Sequence, residues 1–102
     1  MDSTQPTKEA RVARVILRTA QRQPNVSRTL MSIQTRPYGA DWTTTLQELI
    51  DRNFIIEEAT IAARRRNRRA VISYRLGPAA EGYDFEEMEA IQVQKLVWAV
   101  AA

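Results

Sequence analysis

TTTLQELIDRNFIIEEATIAARRRNRRAVISYRL, residues 43–76, changes its hydrophobic period midway, and the fold follows from that change. In 44–53 the apolar residues Leu46, Leu49 and Ile50, continued by Phe54, recur at spacings of three and four, the mark of one buried helical face. Thr44, Gln47, Glu48, Asp51 and Arg52 take the other face. Thr44 and Gln47 stand three apart, as in a capping box, and Asn53 is a residue that tolerates the left-handed conformation in which helices end. The expectation is a helix of about three turns over Thr44 to Asn53. Farther on, AVISYRL alternates, with Ile72, Tyr74 and Leu76 on one side and Val71, Ser73 and Arg75 on the other, which reads as a half-buried strand. Pairing Ala62 with Ala70 makes a hairpin that sets Glu57 opposite Arg75, a favourable cross-strand pair. Arg64, Arg65, Arg66, Asn67, Arg68 and Arg69 then form its loop.

Before this stretch, Pro6 to about Gln23 reads as an amphipathic helix. Ala13, Ile16, Leu17 and Ala20 share one face; Arg11, Arg14, Arg18 and Arg22 share the opposite one, either solvated or lying near phosphates. Pro24 closes that helix. Asn25 or Ser27 can cap a second, short helix carrying Leu30, Met31 and Ile33, which Pro37 and Gly39 end near Arg36. Tyr38 and Trp42 flank the following turn and read as core aromatics.

After the stretch, Gly77 and Pro78 stop the strand. Asp84 and Glu87 are spaced as a capping box and Tyr83 and Met88 as a hydrophobic staple, so a last helix is expected from about Phe85 to the end. Its second half, LVWAVAA, is apolar nearly all round and needs covering on every side. The same helix of a second copy, packed about a two-fold axis, is one cover; folding back on the first helix is the other. The first arrangement makes Ile91, Leu96, Val97 and Trp98 a homodimer interface.

The chain of 102 residues has no cysteine and no histidine, which removes disulfides, thiolate and imidazole metal sites, and the commonest nucleophile and acid–base devices. No phosphate-binding glycine loop or nucleophile–base pair is present. Neither an enzyme, a metal nor a cofactor is expected. No apolar run approaches the ~18 residues of a membrane span, and the expected location is the cytoplasm, at the nucleoid. Charge is uneven: residues 1–76 hold fourteen basic against seven acidic side chains, and residues 77–102 one against five. The basic part is the candidate for a polyanion, and thirteen of its basic residues are arginine, whose forked donors match phosphate and guanine edges.

LQELIDRNFI, the arginine-rich turn and ISYRLGPAAEGY together resemble the end of the winged helix-turn-helix domain of MarR-like and PadR-like regulators, over residues 42 to 82. Asn53 stands where those domains usually carry glycine, and Gly77 where they usually carry threonine. The resemblance implies a mainly α fold with a small β-hairpin wing over residues 1–83, followed by an extra C-terminal dimerisation helix over 84–102. It implies a dimeric protein that binds double-stranded DNA, a transcriptional regulator with its recognition helix at about 43–53 in the major groove. On that reading Thr43, Thr44, Thr45 and Gln47 reach phosphates or base edges from the helix start, and Arg52 meets a phosphate from the far end. Arg64, Arg65, Arg66, Arg68 and Arg69 lie along the backbone or in the minor groove. The alternative is a winged-helix assembly module of a replication, segregation or phage complex, which binds a protein partner through its last helix and nucleic acid without sequence preference.

Overall fold

The computed structural model describes residues 5–39, 41–64 and 67–98, with side chains placed except at 60–64 and 67–70. In chain order these form α1 (Lys8–Arg22), β1 (Val26–Ser27), α2 (Arg28–Thr35), α3 (Trp42–Asp51), β2 (Ile55–Arg64), β3 (Asn67–Leu76) and α4 (Ala90–Val97), with 3-10 turns at Arg36–Tyr38 and Pro78–Ala80. The three strands make one antiparallel sheet in the order β1-β3-β2.

α1 is the centre of the molecule. Ala13, Ile16, Leu17 and Ala20, the face expected from the spacing, are buried, and so are Ala10, Val12 and Val15, because α2, α3, β3 and α4 all pack on this helix. Full burial of a side chain such as Ile16 or Leu17 contributes about 1.5–3 kcal/mol. The N-cap is Thr7, whose Oγ1 accepts the Ala10 N–H at 3.2 Å, so the helix begins two residues later than Pro6. Ser27 caps α2 by accepting the Leu30 N–H at 3.1 Å. Just ahead of it, Val26 and Ser27 pair with Tyr74 and Ser73. This strand of two residues is too short to leave a periodic trace in the sequence.

Two of the four arginines on this face of α1 are engaged within the chain, and Arg11 is exposed. Arg14 Nε donates to the Met88 carbonyl at 2.6 Å, and Arg22 forms an ion pair with Glu86. Gln21 grips the same segment twice, donating to Tyr83 O at 2.7 Å and accepting the Phe85 N–H at 2.8 Å. Phe85 is thereby seated in the core at 0% exposure. This lashing corrects the expected start of the last helix. Residues 84–88 make a single turn closed on the Asp84 carbonyl by the N–H groups of Glu87 and Met88, and α4 begins only at Ala90. The capping box is Glu89 with Gln92, not Asp84 with Glu87.

The Arg22 guanidinium, hydrogen-bonded to Glu86, holds that carboxyl below the ordinary carboxylate range; partial desolvation opposes the shift, and the charges of Arg22, Arg18 and Arg14 add to it. A carboxyl depressed in the folded state stabilises fully at neutral pH and loses that contribution as pH falls through its folded pKa. Acidification below about pH 4 should therefore weaken the exposed Arg22–Glu86 pair, a modest effect, while Phe85 and the bonds of Gln21 and Arg14 still hold the segment. Amide exchange at Glu86 that rises while exchange at Phe85 stays level with that at Ile16 is the expected result.

The hairpin is in a register one residue away from the expected one. Ile55 faces Leu76, Glu57 faces Tyr74, Glu58 faces Ser73 and Arg64 faces Asn67. The base sets this phase: Gly77 N–H donates to Phe54 O at 2.8 Å and Ala79 N–H to Asn53 O at 3.0 Å, which fixes where β3 leaves the corner. Arg75 consequently pairs diagonally with Glu58, at 2.6 Å, rather than across from Glu57. Arg64, Arg68 and Arg69 belong to strands instead of a six-residue loop, and only positions 65 and 66 separate the strands.

A candidate nucleic-acid interface

α3 runs from Trp42, two residues earlier than the periodicity predicts, and its N-cap residue is Asp41. Thr44 is therefore inside the first turn and caps nothing. The Asp41 carbonyl accepts the Thr44 N–H at 3.1 Å, while the Asp41 side chain makes no capping bond. The amide end of α3 thus lacks a side-chain cap, and it is the end of a helix that favours anions.

Leu46 and Leu49 are buried and Ile50 is half-buried, as the spacing requires. Thr43, Thr44 and Gln47 are exposed and share the outward face. Thr45 does not join them: at 3% exposure it is buried with Leu46 and Leu49, because it stands four residues before Leu49 and so on the same helical face. The acids of the outer face are engaged within the chain. Asp51 Oδ1 accepts from Gln47 Nε2 at 2.9 Å, and Glu48 Oε2 accepts from Trp98 Nε1 at 2.6 Å.

Arg52 does not project from the helix end as a free cation. Its guanidinium donates to the Val97 carbonyl at 3.2 Å, so α3 and α4 are joined by two bonds, Arg52 to Val97 and Trp98 to Glu48. Of the four residues expected at a dimer interface, Val97 is buried in its own protomer at 4% exposure, and Leu96, Trp98 and Ile91 are half-buried. Val93 and Val97 of α4 share one core with Ile16 and Leu17 of α1. Folding back on the first helix covers much of the apolar surface that the sequence left open.

The corner after α3 behaves as its residues predict. Asn53 has φ +65°, the left-handed conformation, and from it the chain enters β2. Arg64, Arg68 and Arg69 stand near the far end of the hairpin, and Arg65 and Arg66 lie outside the described residues. The molecule measures 61 × 27 × 23 Å, and a strand of ten residues alone spans about 33 Å.

Two basic residues were not singled out by the sequence. Arg28, the first residue of α2, and Arg36, just beyond its last, border a cleft of about 340 Å³ with Thr29, Ser32, Ile33 and Trp42. Arg28 donates to the Tyr74 hydroxyl at 2.7 Å, and its guanidinium carbon lies 5.4 Å from the centre of the Trp42 ring, a cation–π geometry. Burial raises the Tyr74 pKa, with Arg28 opposing the shift. The available signal was their placement: cations at both ends of α2 bracket the amide end of the next helix. Among the described residues Trp42 is the one side chain of α3 that lines this cleft, while Thr43, Thr44 and Gln47 stand exposed on the outer face of the helix. The chain matches no protein-family profile, no curated protein and no solved structure.

Proposed function

We propose that the chain is a double-stranded DNA-binding protein of the winged helix-turn-helix kind, a transcriptional regulator that acts as a homodimer. The observation that carries the reading is the Asn53–Gly77 corner. It joins, through backbone hydrogen bonds to Phe54 and Asn53, a helix with Thr43, Thr44 and Gln47 on its outer face and a hairpin whose strands and turn carry five arginines between 64 and 69. A helix and a basic hairpin in fixed relation can engage a major groove and the adjacent backbone or minor groove at once. The order α1, β1, α2, α3, β2, β3, with strand order β1-β3-β2, supports the same assignment.

In this reading Thr43, Thr44 and Gln47 reach phosphates or base edges. Arg28, Arg36 and the uncapped amide end of α3 hold a backbone phosphate. Arg64, Arg65, Arg66, Arg68 and Arg69 follow the backbone or minor groove. Arg52, exposed and bonded to Val97 through one guanidinium nitrogen, meets a phosphate from the far end of the helix.

A mobility-shift titration with the native upstream duplex against random duplex tests the proposal. A preference of about 10³ or more is expected. For six to ten neutralised phosphates per dimer, log affinity should fall against log salt with a slope of about −5 to −9. Parity between the duplexes would sink the regulator, and a slope near zero would sink nucleic-acid binding altogether.

A further inference from the structure

Among the described residues β2 is an edge strand, paired with β3 on one side only in the order β1-β3-β2. The phase of the ladder tells which backbone groups lie along the other side. Gly77 N–H donates to Phe54 O, and this pair continues the Ile55 to Leu76 register by one step. Antiparallel ladders alternate hydrogen-bonded and non-bonded pairs. Even-numbered Ile56, Glu58, Thr60, Ala62 and Arg64 therefore direct N–H and C=O toward β3, and odd-numbered Glu57, Ala59, Ile61 and Ala63 direct theirs outward.

Long edges of this kind are usually guarded by proline, charge, a bulge or a covering element. The pairing of β2 with β3 runs without a bulge from Ile55 to Arg64, and its middle, ATIAA at 59–63, holds no proline and no charge. The charges lie at the two ends, Glu57 and Glu58 near the base and Arg64 near the tip. A sequence that is neutral in the middle, acidic at one end and basic at the other complements itself when turned end for end.

We infer that a second copy of this chain docks on the β2 edge, antiparallel, about a two-fold axis passing through Ile61. The axis stands perpendicular to the joined sheet, and residues facing one another across it project from the same face of the sheet, so facing positions must both be odd or both be even. Only centring on Ile61 brings all five residues of ATIAA against themselves; centring on Thr60 or Ala62 overlaps three of them, and Ala62 sets Thr60 opposite position 64. Centring on Thr60 places Glu58 opposite Ala62 and Glu57 opposite Ala63, with no charge pair. Centring on Ile61 places Ala59 opposite Ala63 and Glu58 opposite position 64 of the second copy, an acid facing an arginine at both ends. Ala59, Ile61 and Ala63 then exchange hydrogen bonds through the groups that point outward. The Glu58 carboxylate holds Arg75 through Oε1, which leaves Oε2 outside that bond. This inference rests on the homodimer of the proposed function and needs no DNA.

Because the chain has no cysteine, single introduced cysteines read the register directly in the full-length protein without DNA. Ile61→Cys should cross-link to itself under mild oxidation, since a hydrogen-bonded antiparallel pair brings the Cα atoms to about 5.5 Å, within disulfide range. Ala59→Cys should not, because its own copy lies about 14 Å away along the strand. A mixture of Ala59→Cys and Ala63→Cys proteins should cross-link. The Ile61→Cys rate should exceed that of Ala59→Cys by about tenfold or more. In the unmodified chain the amides of Ala59, Ile61 and Ala63 should gain protection from exchange as concentration rises, while those of Glu58 and Ala62 stay protected throughout. Cross-linking at equal rates for Ile61→Cys and Ala59→Cys, preferential cross-linking through Thr60→Cys or Leu96→Cys, or concentration-independent exchange at Ile61 each overturns the arrangement. Failure here with a sequence-specific mobility shift intact removes the interface and leaves DNA binding standing.

Discussion

Replacing Gly77 by alanine is expected to destabilise the fold by about 3 kcal/mol, with a fall in melting temperature of roughly 10–20 °C. A Cβ at this position would stand 2.3 Å from the Asn53 carbonyl oxygen and 2.9 Å from its carbon. Both are backbone atoms. The oxygen cannot swing aside cheaply, because it accepts the Ala79 N–H at 3.0 Å, and Gly77 N–H itself donates to Phe54 O. Conformation is not the reason for glycine here: φ is −88° and ψ 174°, angles that any residue adopts. Asn53, across the corner, is the opposite case, with φ +65°. Asn53→Gly should be tolerated, and Asn53→Ala should cost only about 1–2 kcal/mol, the penalty of the left-handed region. A Gly77→Ala protein that melts within ~2 °C of the parent would show that the close approach of β3 to the helix corner is absent.

Removing Arg65 and Arg66 together should weaken duplex binding by about three orders of magnitude at 0.1 M salt while leaving the melt unchanged. On the DNA-binding reading the double alanine variant loses up to four phosphate contacts in a dimer. At a slope of about −0.9 per contact, each contributes nearly a factor of ten between 1 M and 0.1 M salt. Substitutions away from a core, cap or buried network usually change stability by less than ~0.5 kcal/mol, so binding and folding should separate. The salt slope should become shallower by about one for each lost contact. Thr44→Ala with Gln47→Ala should act differently, reducing discrimination between the preferred and random duplex more than non-specific affinity. Unchanged affinity in the arginine variant, with an unchanged melt, would remove the hairpin from the mechanism.

The readable parts of the fold were those where one residue type answers one local demand. The face of α1 at Ala13, Ile16, Leu17 and Ala20, the cap at Ser27 and the left-handed Asn53 all follow from chemistry within a few residues of each. What stayed hidden depends on partners distant in sequence. β1 exists because Tyr74 and Ser73 offer it a ladder. The hairpin register is set by hydrogen bonds at its base and not by the cross-strand charge pair, which is worth only about 0.2–1 kcal/mol. α4 starts late because Gln21, Arg14 and Arg22 bind the preceding segment to α1. At the candidate site the exposure of Thr44 and Gln47 was legible from helical spacing, and Thr43 entered through the resemblance alone. Thr45 was grouped with its threonine neighbours although its spacing of four from Leu49 sets it on the buried face, and Arg28 and Arg36 lacked any motif that would mark them.

The hairpin is also a ruler with a discrete scale. Its strands are paired residue by residue from Ile55 with Leu76 to Arg64 with Asn67, so its reach changes only by whole facing pairs. Deleting one pair, Ile61 with Ala70, shortens it by about 3.4 Å but reverses which face of the sheet the tip arginines share with the base. Deleting two, Thr60 and Ile61 with Ala70 and Val71, shortens it by about 6.8 Å and restores the original facing. That distance equals about two base-pair steps of duplex. On the DNA-binding reading, chains that differ only in hairpin length would share one helix specificity while their tips touch down two base pairs nearer or farther, with the odd steps forbidden.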